Sequence, residues 1–509
     1  MQNVFATVTQ LEAHAHNAFG LTENIMIENA AAALEKEVCA TGATRVLIMC
    51  GSGNNGSDGY ALARRIAGAI SCSVYAAYEP KTENCKQQCA LAKAVGVHVI
   101  HRALFLKMIN AHTVVVDCLY GTGFHGTLDA HIAQLLFKIN SAPCTRIACD
   151  IPSGIDSRGA ILTTYKSKTI AFNAHITVAM GALKAAYFSD AAKDFCGNIV
   201  KANIGVSAAL FENCPSFPDA QLLSCNDMHL PMREKKSVHK GAFGHAAIVA
   251  GEKPGAAIIA GEAALAFGAG LVTLVETVQS NTARFKMPPE LMSAKTFPQN
   301  TTAVLLGSGL GRAQYDATEK LLAWIFLHKA VRVVLDADMF YYEKIGSLLK
   351  RFSQRVVLTP HPKEFQSLLK LCALGSYSIE TLAENRLELV KKFSAQFPKA
   401  VLVLKGANTF ISCGCGVFIS TEGNQCLAKA GSGDVLAGLI CALLAQNYST
   451  QEAAITAVLA HGGASQTFAK SYALTPRKLI REIEKLPKDA ANAAQRAVAA
   501  TSRTCSLVH

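Results

Sequence analysis

Residues 45–66 read RVLIMCGSGNNGSDGYALARRI. The first six, Arg45 to Cys50, form a nearly continuous apolar run, the pattern of a strand buried on both faces. Gly51 ends the run, and a helical pattern follows at 59–70. Strand, glycine loop and helix in direct succession make the repeating unit of a parallel α/β sheet. The same kind of apolar run recurs at 72–77, 113–118, 145–149 and 175–180, with further helical patterns at 83–95 and 127–139. The first part of the chain therefore reads as a Rossmann-like doubly wound α/β domain.

The rhythm breaks at 207–240, which carries Pro215, Pro218 and Pro231 and then the charged cluster Arg233-Glu234-Lys235-Lys236. A domain junction is expected there. A second α/β series follows, with strands expected at 245–250, 271–275, 303–306, 331–335, 355–358 and 401–404. Its helices are expected at 256–268, 315–328, 379–397, 434–446 and 451–469. The resulting division is a first domain over 1–215, a linker over 216–229, a second domain over 230–486 and an Ala-rich basic tail over 487–509.

A chain of 509 residues has room for two or three such domains, and 50% hydrophobic against 17% charged residues indicates an ordered globular protein. The net charge of +12 is spread along the chain, with no basic stripe interleaved with aromatics. Attraction for small anionic ligands accounts for the charge as well as a nucleic-acid partner would. The 17 cysteines are scattered, without zinc spacing, and read as reduced thiols of a cytoplasmic protein. No signal peptide is read at the start. The most apolar window, 255–275, contains Glu262 and four glycines and reads as a buried helix and strand, not a membrane span.

Gly51-Ser-Gly-Asn-Asn-Gly56 fits the G-x-G-x-x-G dinucleotide fingerprint, with Glu79 in place of the ribose acid. The polar residues packed into it, Asn54, Asn55, Ser57 and Asp58, argue instead for side-chain ligation. Two further strands end on carboxylates, Asp117 and Asp150, each followed by a glycine-containing loop. Ligands of open α/β sheets bind beyond the carboxyl ends of strands, so these three loops should meet in one crevice.

The second half carries Ala430-Gly431-Ser432-Gly433-Asp434 ahead of an apolar helix. Unpaired amides and a positive dipole end at such a start suit a phosphate. Asp434 there is either a helix cap or a base for a hydroxyl about to attack phosphorus. Gly307–Gly311, Asp336 and Asp338, His361 and Glu364, and Lys405–Thr409 follow other strands.

GSGNNGSDGY (51–60), VVDCLYGTGFHG (115–126), CDIPSGID (149–156), TVAMGALKAAY (177–187) and ENAAAAL (28–34) closely resemble the epimerase domain of the bifunctional NAD(P)H-hydrate repair enzymes. The resemblance implies a potassium ion held by Asn55, Asp117 and Ser153. It implies a hydrate site lined by Asn54, Asn55, Gly56, Ser57, Asp58, Gly121, Thr122, Gly123, Phe124, His125, Gly126, Thr127 and Asp150, with Asp150 the acid/base. Two departures are Ser57, where glycine is usual, and His125, where Arg or Lys is common; Lys184 is a candidate to supply the missing charge.

The motifs of the second half resemble the ribokinase-like dehydratase domain of the same enzymes. That resemblance implies Ala256, Gly309, His361 and Asp434 on the hydrate, with Asp434 the base. It implies Lys405, Gly406, Ala407, Asn408, Thr409 and Gly433 on the nucleotide. The implied co-substrate is ADP, with ATP the alternative, accompanied by Mg2+. The implied substrates are NADHX and NADPHX, with no nucleic-acid or membrane partner, and a homo-oligomer is expected. A ribokinase-class small-molecule kinase, a first half serving only as an interaction scaffold, and a nicotinamide dehydrogenase are the rival readings.

Overall fold

The computed structural model describes residues 1–213, 217–277, 287–312, 315–352, 354–414 and 416–486. The tail read at 487–509 lies outside them. The chain divides into two compact units, Gln2–Gln221 with Ala383–Asn385, and Leu222 onward with Met1.

In the first unit seven strands form one sheet in the order Asn198–Ala202, Ile176–Met180, Thr145–Cys149, Thr113–Cys118, Arg45–Cys50, Ser71–Ala76, His98–Val99. Every neighbouring pair is parallel. Arg45–Cys50 lies inside the sheet between Thr113–Cys118 and Ser71–Ala76, and its alternate residues serve opposite faces. Val46, Ile48 and Cys50 join the cluster built with Ala31, Leu34 and Leu62 of the helices Glu23–Ala40 and Asn54–Ile66. Leu47 and Met49 join the opposite cluster, with Leu135 and Ile139 of the helix Ala130–Asn140. All five of these strand residues are fully buried. The larger ones contribute about 1.5–3 kcal/mol each, which is why the run after Arg45 contains no charged residue.

The strand order reverses once. From Arg45–Cys50 the chain goes outward through Ser71–Ala76 and His98–Val99, then returns to the other side at Thr113–Cys118. The loops after Arg45–Cys50 and Thr113–Cys118 therefore diverge around a crevice.

The second unit repeats the plan. Its strands run in the order Gly416–Ser420, Thr409–Cys413, Val401–Leu404, Val356–Leu358, Arg332–Leu335, Ala303–Leu306, His245–Ala250, Leu271–Glu276, Met292–Ala294. Pairing is parallel except in the hairpin at 409–420, which turns back antiparallel on Val401–Leu404. The order reverses between His245–Ala250 and Ala303–Leu306. The helices Pro254–Ala266 and Ser432–Ala445 pack together in the core on one face, with Thr450–Ser465 beside them.

Several elements differ from the sequence expectation. The helix expected at 59–70 runs Asn54–Ile66, so Asn54–Asp58 form its first turns and not a loop. Gly53 is its extended N-cap, and nothing after it breaks the helix. The helix expected at 379–397 is two, Ile379–Glu384 and Arg386–Gln396. The helices Thr9–Phe19, Ile345–Phe352, Pro362–Leu371 and Pro476–Ile483 and the 409–420 hairpin were not foreseen. No helix among the described residues is long and apolar enough to cross a membrane.

Gly56 brings its helix against the strand-end loop: a Cβ there would run into the Gly51 carbonyl. Gly56→Ala is therefore expected to destabilise the first unit by about 1–3 kcal/mol, the usual cost of overpacking. A lower urea midpoint for that unit checks it, and an unchanged midpoint would contradict the close approach.

Candidate active sites

In the first unit the three carboxyl-end loops meet. Asp117, at the end of its strand, is fully buried. Its Oδ1 accepts from Ser153 Oγ at 2.8 Å and from the Leu119 amide at 3.2 Å, and its Oδ2 accepts from the Ser153 amide at 2.8 Å. Burial pushes the Asp117 carboxyl up to about 6 against these bonds. Ser153 Oγ also accepts from the Tyr120 amide at 3.1 Å, and Asn55 Nδ2 donates to the Tyr120 carbonyl at 3.0 Å. Asn55, Asp117 and Ser153 are thus gathered around one turn of backbone, 119–121.

Asp150 stands beside them in a left-handed backbone conformation, φ 64°. Such strain in a non-glycine residue persists only where surrounding bonds hold it. Lys184 Nζ donates to Asp150 Oδ1 at 2.6 Å, the Met180 amide donates to the same oxygen at 3.3 Å, and Tyr187 Oη donates to the Asp150 carbonyl at 2.7 Å. Lys184 is only 2% exposed. It pairs with a carboxylate and is not free for dinucleotide phosphates, which corrects the compensating role read from sequence.

A cavity of about 410 Å³ opens alongside, lined by Glu12, Asn54, Asp58, Ile27, Met180 and Ile204 among others. Desolvation, then the neighbouring Asp150, pushes the Asp58 carboxyl well above its usual range. Desolvation raises Glu12 as well, opposed by Lys184. Glu12 carried no sequence signal, because its helix buries only Leu11 and Ala15 and so has a narrow apolar face.

Other expected positions lie differently. Ser57 is fully buried, with its hydroxyl toward the Gly53 carbonyl at 3.4 Å, so the side chain is taken up inside the helix. Phe124 is buried against Tyr120, ring centroids 5.0 Å apart. Gly123, His125, Gly126 and Thr127 are exposed, while Gly121 and Thr122 are half-buried. Gly121 lies next to Asn55 and Asp150.

In the second unit five loops converge on Lys405. Its Nζ lies 3.3 Å from Asp336 Oδ1 and 3.9 Å from Glu364 Oε2. Asp336 is further held by Thr359 Oγ1 at 2.7 Å and Ser308 Oγ at 2.9 Å. Asp434 sits in the first turn of the helix Ser432–Ala445. Burial, then Asp336, pushes its carboxyl up to about 6, opposed by Lys405 and a hydrogen bond from Ser308. Gly433 approaches the Lys405 ammonium closely enough that a Cβ would touch it at 3.4 Å. Gly431 takes φ 87° to start this helix.

His361 caps the helix Pro362–Leu371. Its Nδ1 accepts from the Lys363 and Glu364 amides, and Glu364 Oε2 accepts from the His361 amide at 2.8 Å. That leaves the proton on Nε2, which faces Glu364 Oε1 at 3.2 Å. Burial lowers His361 and pushes Glu364 up to about 7. The loop at 307–311 is zipped to the segment before the helix Pro254–Ala266, the Lys253 amide donating to the Gly309 carbonyl at 2.9 Å, which sets Gly309 beside Ala256.

Gly406–Asn408 follow Lys405 in the turn between Val401–Leu404 and Thr409–Cys413. Arg386 pins that turn by donating to the Leu404 and Lys405 carbonyls, both at 2.9 Å. Sequence reasoning missed Arg386, which belongs to no glycine-containing motif, and gave Asp336 and Glu364 no role although it marked both.

Each strand-end crevice sets one lysine, buried in the first unit and half-buried in the second, among several carboxylates. The family model described as NAD(P)H-hydrate dehydratase matches residues 246–485, and the one described as YjeF-related protein N-terminus matches residues 23–186. The chain is 40% identical over 491 residues to the bifunctional NAD(P)H-hydrate repair enzyme of Helicobacter pylori, covering 96% of this chain and 100% of that one. It is 30% identical over 479 residues to the enzyme of the same name from Escherichia coli, covering 91% and 88%. Among solved structures, the Bacillus subtilis ADP/ATP-dependent NAD(P)H-hydrate dehydratase, co-crystallised with ATP and Mg2+, is 25% identical with a TM-score of 0.42, covering 50% of this chain and 93% of that one. This chain belongs to the family of bifunctional NAD(P)H-hydrate repair enzymes.

Proposed function

We propose that this chain repairs hydrated NADH and NADPH in two steps, epimerising the R and S hydrates in its first unit and dehydrating the S hydrate in its second. The observation that carries the reading is Asp434: a half-buried carboxyl at a glycine-started helix N-terminus, beside Lys405, in a chain of this family. Water added across the nicotinamide ring leaves a hydroxyl on C6, and hydroxide is a poor leaving group. Asp434 takes the hydroxyl proton as the C6 oxygen attacks the terminal phosphorus of ADP. The phosphoanhydride bond breaks and AMP leaves. The C6–O bond then breaks with loss of a C5 proton, giving phosphate and the restored dihydronicotinamide.

The amides of Gly433 and Asp434 and the helix end offset charge on the phosphoryl group, and Lys405 pairs with its oxygens. Gly406, Ala407, Asn408 and Thr409 hold the rest of the nucleotide, and Ala256, Gly309 and His361 hold the hydrate. The choice of ADP over ATP rests on the fused two-domain arrangement. Among the described residues no trio of His, Cys, Asp or Glu is grouped to hold a metal. Mg2+ then travels on the phosphates of the nucleotide, which suits its preference for phosphate and water oxygens.

In the first unit Asp150 takes the proton of the C6 hydroxyl as the C6–N1 bond opens to an aldehyde with its electron pair on N1; rotation, reclosure of N1 on the other face of C6 and return of the proton to oxygen give the other epimer. Lys184, bonded to Asp150 Oδ1, sets the direction in which the carboxylate points. Asn55, Asp117 and Ser153 would hold potassium: they offer amide, carboxylate and hydroxyl oxygens, and the buried Asp117 faces no cationic side chain within ion-pair distance among the described residues. The ion would supply the missing positive charge and stiffen the loops that shape the pocket. Function in the cytoplasm and assembly into a homo-oligomer complete the reading.

Asp434→Asn should lower nucleotide-dependent dehydration about 10²-fold or more while epimer exchange continues, as followed by absorbance and chromatography of the hydrates. A fall of less than a few-fold removes Asp434 as the base. Because the base acts ionised and its carboxyl lies up at about 6, wild-type turnover should fall as pH drops through that value. A dehydration rate that stays level from pH 8 to 5 (values chosen to bracket the titration) would contradict this. Asp150→Asn should stop epimer exchange in the folded protein, and replacing potassium by a large organic cation should slow it. Exchange at the wild-type rate in folded Asp150→Asn would end the assignment.

A further inference from the structure

The helix Thr450–Ser465 is apolar along most of its length, with Ala453, Ala454, Ala457, Leu459, Ala460 and Ala464 in the core. His461 lies among them, 8% exposed. Burying an imidazole in such surroundings is unfavourable unless it finds a hydrogen-bond partner. Its partner is the first residue of the phosphate-facing helix: Nε2 lies 3.0 Å from the Ser432 carbonyl and 3.3 Å from Ser432 Oγ. A carbonyl only accepts, so Nε2 carries the proton and donates. Burial holds the ring's pKa down to about 4, which keeps it neutral with a single donor available on that side.

That bond falls on the turn whose own amides have no partner within the helix. Gly431 before it is in the left-handed region and supplies no side-chain cap. The turn therefore lacks the usual device that stiffens a helix start. Ser432 is followed directly by Gly433, against Lys405, and by Asp434. A shift of the Ser432 carbonyl moves both.

We propose that His461 is a positioning residue for dehydration: by donating to the Ser432 carbonyl it holds the first turn of the helix Ser432–Ala445, and with it the Gly433 and Asp434 amides and the Asp434 carboxyl, in register with the phosphoryl group. The inference rests on the dehydratase reading given above. In this reading His461 acts through Ser432, so its removal acts on kcat through aim and not on binding. A misplacement of about 1 Å in such a site costs up to about 10²-fold in rate.

The test uses the full chain, the S hydrate of NADH and ADP, with absorbance of the restored dihydronicotinamide as readout. His461→Phe fills the volume without a donor, and His461→Gln returns an N–H at similar reach. His461→Phe should lower kcat about 10- to 100-fold with both KM values within about threefold of wild type, and His461→Gln should recover most of the loss. Epimer exchange should be unchanged in both. Wild-type kcat in folded His461→Phe, or Gln no better than Phe, overturns the proposal. Should His461→Phe not fold, His461→Asn, whose amide is too short to reach Ser432, takes its place, and equal turnover of the Asn and Gln variants overturns it. If the wild-type chain itself does not dehydrate the hydrate with any nucleotide, the functional reading fails instead.

Discussion

A parallel sheet buried on both faces sends every connection back through a crossover, and its strand order reverses where the chain begins to build the other half. At that reversal the loops on either side part and leave a crevice at the carboxyl ends of the strands. Both units of this chain are built under that constraint, with the reversal between Arg45–Cys50 and Thr113–Cys118 in one and between His245–Ala250 and Ala303–Leu306 in the other. Everything assigned to chemistry lies at those two ends: Asn54–Asp58, Asp117, Asp150 and Ser153 in the first, Gly309, Asp336, His361, Lys405 and Asp434 in the second.

Each crevice is then organised by one lysine among carboxylates. Lys184 is buried against Asp150, and Lys405 lies between Asp336 and Glu364 with Asp434 close by. The carboxylates outnumber the cation in both places. Burial raises Asp58, Glu12 and Asp117 in the first unit and Asp434 and Glu364 in the second. Asp117 and Asp434, raised to about 6, and Glu364, raised to about 7, exchange protons nearer neutral pH than ordinary exposed carboxylates do.

Glycine and polar residues were legible as members of the strand-end loops because their local chemistry is distinctive. Gly51 and Gly56 permit backbone contact, Asp117 and Asp150 end apolar strands, and Gly431–Gly433 open an apolar helix; each signal lies within a dozen residues. Lys184, Arg386, Glu12 and His461 were misread or unseen for the opposite reason. Lys184 reaches Asp150 across 34 positions and Arg386 reaches Lys405 across 19, and neither partner is visible from the local pattern. The loop–helix boundary at Asn54 was missed because Asn, Gly and Ser are poor helix formers, and a helix packed on the sheet through Gly56 overrides that weak preference.

The sequence by itself determined the two α/β series, the central buried strands, the glycine-bounded loops and the family to which they belong. Those follow from periodicity and short motifs, which are properties of neighbouring residues. Only the tertiary structure decided which charges meet: that Lys184 neutralises Asp150 and not a phosphate, that Ser57 turns inward, that Asp336 and Glu364 share Lys405, and that His461 grips the carbonyl of Ser432. Desolvation and pairing depend on distance in space, and the sheet brings together residues that the chain keeps tens of positions apart.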